Sequence, residues 1–213
     1  MSKSQLNQDI KVLEFFNFKK NGYFLDIGAN NGITLSNSYL LEKEYNWDGI
    51  CSEPLPYAFK TLKKNRKVIC DNHAVFSSSR LLLNFSQSSL TSGITNYVNN
   101  YKKDEIIEKA NVIKVKTITL KKLLRHYKAP KRIDYLSLDT EGTELEILKS
   151  ADFVRNIFLY INVEHNYNEI KRKQIRNLLL NNNYLYLGEN KFDDDYIHKS
   201  MFLGKFYFHN NYN

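Results

Sequence analysis

Cysteine, proline and tryptophan are nearly missing from this chain: two, three and one in 213 residues. Cys51 and Cys70 are too few for a disulfide framework and lack zinc-ligand spacing. Both lie in apolar, strand-like runs, so they read as buried thiols in a reducing, intracellular setting. No apolar run approaches the roughly 18 residues that a membrane helix needs. The first nine residues, Met1 to Asp9, lack the apolar centre of a secretion signal. The expected location is cytoplasmic (host cytoplasm for a viral source), with no membrane partner.

What is abundant excludes disorder. Tyrosine (15) and phenylalanine (13) contribute to a 42% hydrophobic share, enough to form a packed core without metal or disulfide staples. One domain over 1–213 is expected. Lysine plus arginine outnumber acidic residues 31 to 23, a net charge of +8. A basic surface can attract nucleic acid. The lysines, however, fall in scattered pairs (Lys19-Lys20, Lys63-Lys64, Lys102-Lys103, Lys121-Lys122) beside abundant asparagine. That pattern reads as AT-rich codon usage, so nucleic acid is not the favoured partner. Oligomeric state is open between monomer and homodimer.

Periodicity alternates between strand and helix. A helix is expected over 5–18, strands at 22–28, 48–53 and 67–70, and helices over 35–44 and 56–65. Strands follow at 80–85 and 112–116, around a polar stretch, 87–110, expected to act as a lid with Ser92 and Gly93 against the acceptor. Thr119 caps a helix carrying Leu120, Leu123, Leu124 and Tyr127 at helical spacing. Strands at 133–139 and 158–163 alternate with helices after Gly142, where Thr143 to Glu146 fits a capping box, and over 169–180. Strands near 184–187 and 196–198 close the chain, with Asp193-Asp-Asp195 read as a solvated turn. The pattern predicts an α/β fold.

In an open α/β sheet, ligands bind beyond the carboxyl ends of the strands. The first such end is Asp26-Ile-Gly-Ala-Asn-Asn-Gly32. It is not a dinucleotide fingerprint, and Asp26 would repel a pyrophosphate. A carboxylate there suits a cationic or hydroxyl-bearing ligand. Glu53, at the second strand end, is spaced to accept hydrogen bonds from a ribose diol. S-adenosylmethionine has an ammonium, a sulfonium and a ribose but no phosphate, and so meets both demands. The fourth and fifth strand ends carry Asp139, Glu141, Glu164, His165 and Asn166, close enough on neighbouring strands to converge. Oxygen ligands of this kind suit Mg²⁺ or another hard divalent cation. The expected metal ligands are Asp139, Glu164 and Asn166. His165 is the expected general base, with Asp139 and Glu141 in the catalytic set.

The segments Asp26 to Gly32, Ser52-Glu-Pro54, Asn72-His-Ala-Val75, Leu138 to Glu144 and Val163 to Asn166 resemble the FkbM-type S-adenosylmethionine-dependent methyltransferases. The start, Ser4 to Asp9, resembles that family's start. The resemblance implies a Rossmann-like class I methyltransferase fold: a seven-stranded, mostly parallel sheet in the order 3-2-1-4-5-7-6 with helices on both faces. It implies that Asp26, Gly28, Ala29, Asn30 and Gly32 line the methionine end of the cofactor, that Glu53 holds the ribose, and that Asn72, His73 and Ala74 border the adenine. It implies O-methylation of a sugar hydroxyl, free, nucleotide-linked or within a glycan. Two alternatives stand beside it: an RNA 2′-O-methyltransferase, and a non-catalytic interaction protein like the Star-like proteins that share several of these segments.

Overall fold

The structure, a computed structural model, describes residues 1–87, 92–97 and 111–202. Most of the stretch expected as a lid, 88–91 and 98–110, lies outside the described residues.

The alternation resolves into a large sheet and an inserted small one. In chain order the elements begin with helix α1 (Gln8–Phe15), strand β1 (Tyr23–Ile27), α2 (Tyr39–Tyr45), β2 (Asp48–Ser52), α3 (Pro56–Asn65) and β3 (Ile69–Asp71). The insertion holds β4 (Ala74–Val75), β5 (Leu82–Gln87), β6 (Gly93–Ile94) and β7 (Asn111–Ile118). Then come α4 (Leu120–His126), β8 (Arg132–Leu138), α5 (Glu144–Lys149), β9 (Ile157–Glu164), α6 (Glu169–Asn181), β10 (Tyr184–Asn190) and β11 (Asp193–His198). The large sheet runs β3-β2-β1-β8-β9-β11-β10. Counting only its own strands, that is 3-2-1-4-5-7-6. All pairings are parallel except those of β11, which is antiparallel to both neighbours. The departure from a single sheet is the insertion, whose four strands form their own sheet in the order β4-β7-β5-β6.

Side-chain alternation explains why the central strands are mostly apolar on both faces. Leu25, Ile50, Leu136 and Ile161 face one buried cluster with α4, α5 and α6. Their chain neighbours Phe24, Cys51, Tyr135 and Tyr160 face the opposite cluster with α1, α2 and Trp47. Both faces are thus covered. Burial of side chains such as Leu25, Ile50 and Leu136, each fully enclosed, stabilises by about 1.5–3 kcal/mol apiece. Thr119 caps α4 as expected, accepting a bond from the Lys122 N–H. No helix among the described residues is long and apolar enough to cross a membrane.

The acidic run near the chain end corrects an expectation. Asp193, Asp194 and Asp195 are not a solvated turn but the first residues of β11, each less than 7% exposed. Partners make this burial tolerable. Asp193 accepts from Gln8, Asp194 from Arg172 and Arg176, and Asp195 from Asn162.

Candidate active site

A cavity of about 370 Å³ opens at the carboxyl ends of β1, β2, β8 and β9, a size suited to a nucleoside-like ligand. Its lining includes Asp26, Gly28, Ala29, Asn30, Glu53, His73, Ala74, Asp139, Glu141, Glu164 and Asn166. Seven of the nine expected cofactor residues are therefore brought together. Gly32 and Asn72 are not among them. Gly32 instead packs against Leu62 and Arg66 of the α3 region, and Asn72 is exposed beside the cavity.

The turn after β1 is fixed by backbone geometry. Gly28 has φ +97°, and a Cβ there would lie 1.7 Å from the Asp139 carbonyl oxygen. Only glycine allows both the left-handed backbone and that approach. Asn30, also left-handed at φ 47°, turns its N–H onto Glu53 Oε2 at 2.9 Å. Glu53 Oε1 accepts from the Leu55 N–H at 2.8 Å. Burial nevertheless pushes the Glu53 carboxyl up to about 7, against the pull of those two donors. Asp26 is also raised, by burial first, while nearby Arg66 and the hydroxyls of Ser38 and Ser36 oppose the shift.

Arg66 was not singled out by the sequence. Its side chain is fully enclosed and organises the wall of the cavity. It pairs with Glu42 and donates to the Gly32 carbonyl, the Ser36 hydroxyl, and the Ser38 carbonyl and hydroxyl. The cavity-lining stretch Thr34 to Asn37 lies between its Gly32 and Ser38 contacts and is held within by Ser36.

At the carboxyl ends of β8 and β9 stand three carboxylates. Oxygens of Asp139, Glu141 and Glu164 lie within 4.8 Å of one another. Burial, then the charge of Glu141, lifts Asp139 well above the ordinary carboxylate range. Burial, then Asp139, does the same to Glu164. Glu141 is pushed up to about 7 by burial and by Glu144. Glu164 Oε2 is buried without a hydrogen-bond partner. Asn166, the expected third ligand, lines the same cavity, and its amide donates to Glu141 Oε2 at 3.3 Å, which brings Glu141 into the group beside Asp139 and Glu164.

The loop that presents these groups departs from a capping box. Thr143 precedes α5 but its hydroxyl donates to Thr140, not to the helix. Glu144 Oε1 accepts instead from the Thr140 N–H and hydroxyl and from the Gly142 N–H, at 2.8–3.1 Å. Gly142, φ +121°, lies so close to the inserted sheet that a Cβ would be 2.1 Å from the Tyr97 carbonyl oxygen. Lys171 Nζ bridges the Gly142 and Tyr97 carbonyls at 2.8 and 3.4 Å.

His165 is a second correction. It is absent from the cavity lining, and its side chain is 1% exposed. Its Nδ1 accepts from the Tyr167 N–H, and Nε2 faces Asp194 at 3.8 Å on the far side of β9. Strand alternation carries it there: Glu164 points into the cavity, so the next residue points away. Burial, aided by Arg172, lowers its pKa.

The donor set decides which ligand fits. Two carboxylates, Asp26 and Glu53, line the cavity and neither lysine nor arginine does among the described residues. That chemistry accommodates a cationic, diol-bearing molecule without phosphate, such as S-adenosylmethionine, and not a dinucleotide. Three carboxylates with one unpartnered oxygen fit a hard divalent cation.

Comparison with known proteins agrees with this geometry. The sequence profile described as methyltransferase FkbM domain matches residues 26–186. No curated protein matches the sequence. Among solved structures, the methyltransferase FkbM from Methylobacillus flagellatus KT is similar over 85% of this chain and 44% of its own, at 11% identity and a TM-score of 0.54. This chain thus spans less than half the length of that protein. The METTL16 MTase domain is similar over 91% of this chain and 66% of its own, at 12% identity and a TM-score of 0.50. Likeness at such identities speaks to the fold, while the profile match covers most of the chain: the protein belongs to the methyltransferase FkbM family.

Proposed function

We propose that this protein transfers a methyl group from S-adenosylmethionine to a hydroxyl, with a sugar hydroxyl (free, nucleotide-linked or within a glycan) as the acceptor. The observation that carries this reading is the carboxylate cluster Asp139, Glu141 and Glu164, which lines one cavity together with Asp26 and Glu53. When bound, the cofactor supplies an activated methyl group to an in-line nucleophile. The protein has to hold the two reactants and take a proton. Asp26 suits the ammonium of the amino-acid end, and Glu53 the ribose diol. Ala74 and the His73 ring flank the far end, where an adenine would lie. A neutral hydroxyl is a poor nucleophile. Glu141, held near 7 by burial and Glu144, is matched to accept its proton at neutral pH. Asn166 keeps that carboxylate oriented.

A second reading of the same cluster is favoured by the unpartnered Glu164 Oε2. Asp139, Glu141 and Glu164 would then hold a divalent cation, whose charge offsets their mutual repulsion and makes the acceptor hydroxyl more acidic. Chelator separates the two: unchanged turnover supports the proton acceptor, and loss restored by Mg²⁺ or Mn²⁺ supports the cation.

The overall test is transfer of labelled methyl from S-adenosylmethionine into a panel of nucleotide sugars, glycans and RNA. Label in the sugars is expected. Label in RNA alone would favour the RNA 2′-O-methyltransferase, a reading that the lysine-free lining does not support. Absence of cofactor binding would favour a non-catalytic interaction protein.

A further inference from the structure

The segment before α1 forms a strap across one lip of the cavity. Asp9, fully buried, accepts from the hydroxyls of Ser2 and Ser4 at 2.7 and 2.6 Å and from the Lys3 N–H at 3.4 Å. Ser4 forms a lone parallel bridge with Leu35. At the other end, Gln8 Oε1 accepts from the Leu6 N–H, and Gln8 Nε2 donates to buried Asp193, both at 2.8 Å. Asn190 donates to the Leu6 carbonyl at 3.2 Å. The strap is therefore tied to the cavity wall at 35 and to the β10–β11 hairpin, and Gln5, between these ties, lines the cavity.

The proposed cofactor ends in an ammonium and a carboxylate. Asp26 suits the first, but the second needs hydrogen-bond donors, and the lining holds no lysine or arginine among the described residues. Most neutral side-chain donors there are engaged. Asn37 Nδ2 donates to Ser137, and Ser52 to the His73 carbonyl. Thr140 and Asn166 donate to Glu144 and Glu141. Thr143 donates to Thr140, Ser36 to Asp26, and Ser92 has a partner. His73 stands at the Glu53 end, beside Asp71. The amides of Gln5 and Asn30 and the Thr34 hydroxyl remain; Asn30 is held through its N–H to Glu53 at the ribose end, whereas Gln5 and Thr34 flank the Ser4–Leu35 bridge. An amide with two N–H groups is the better match to a carboxylate.

We infer that Gln5 binds the amino-acid carboxylate of the cofactor, so that the strap adds a binding group from outside the sheet. This rests on the cofactor reading above, and two probes keep the two claims apart. S-adenosylhomocysteine carries the amino-acid part, and 5′-methylthioadenosine has the same nucleoside and thioether without it. Calorimetry on the full chain measures both. Gln5→Ala is expected to weaken S-adenosylhomocysteine by about tenfold, the scale of a hydrogen bond to a charged group, and to leave 5′-methylthioadenosine within twofold. Gln5→Glu, which sets a charge against the carboxylate, is expected to widen the gap. Equal weakening of both ligands would mean that only the strap had collapsed, and would overturn the inference, as would no change in either. If the wild-type protein binds neither ligand, the cofactor reading fails and takes this inference with it.

Discussion

Glu53→Gln gives the sharpest test of the cofactor pocket, because the structure fixes both the partners and the ionisation of this residue. Each Glu53 oxygen receives one backbone N–H, from Asn30 and Leu55, and keeps a second lone pair for a ligand hydroxyl. Its carboxyl sits near pH 7 in the free protein. The sign follows directly. Diol donors favour the ionised form, so ligand affinity rises as pH rises through 7 and levels above 8. The ionised fraction goes from about one in eleven at pH 6 to about ten in eleven at pH 8, so the Kd for S-adenosylhomocysteine is expected to fall about tenfold. Glutamine does not titrate, and its amide NH₂ opposes one of the backbone N–H groups. Losing a charged acceptor costs about 1.5–3 kcal/mol, or about 10- to 150-fold in Kd at pH 8, with a flat pH profile. Calorimetry at pH 6, 7 and 8 reads both effects. A flat wild-type profile, or a variant that keeps the tenfold slope, refutes the reasoning.

Four further outcomes follow from the same geometry. Glu141→Gln is expected to lower turnover by about 10²- to 10⁴-fold while S-adenosylhomocysteine affinity changes little. Because a base must be deprotonated to act, wild-type kcat should rise with pH through about 7; a rate that falls over pH 6–8 contradicts that role. His165→Ala should keep turnover within a few-fold yet lose about 1–3 kcal/mol of stability in urea denaturation, since the ring is enclosed and outside the cavity. Gly28→Ala forces a Cβ onto the Asp139 carbonyl and should cost at least about 1–3 kcal/mol and abolish measurable cofactor binding; a normal melting profile with normal binding would count against the turn geometry. Arg66→Met leaves Glu42 without its buried partner and should destabilise by about 3–5 kcal/mol, checked by the same denaturation.

The strand ends were readable because their chemistry is local. Asp26, Gly28, Asn30 and Glu53 lie within one βαβ unit, where a glycine turn and a carboxylate about 25 residues on fix their own placement. Asp139, Glu141 and Glu164 were legible as a convergence, since adjacent parallel strands bring their ends together. The side each residue faces was harder. His165 follows Glu164, and pleating turns it away from the cavity, a consequence readable only once the strand is known to extend through Glu164. Asp193 to Asp195 looked solvated because three acids in a row seldom enter a strand. Their burial depends on Gln8, Asn162, Arg172 and Arg176, and Gln8 is 185 positions from its Asp193 partner. Arg66 escaped notice for a related reason. Its partners span 24 to 34 positions, and nothing in a Lys-Asn-Arg-Lys run marks one cation as the buried one.

The contact between Gly142 and Tyr97 couples the inserted sheet to the large one. Lys171 ties both carbonyls together beside the acidic wall, so the inserted sheet is anchored at Tyr97. Without the Lys171 ammonium the two carbonyls would face each other with no shared donor, and the loop that carries Glu141 would lose its tie to the inserted sheet.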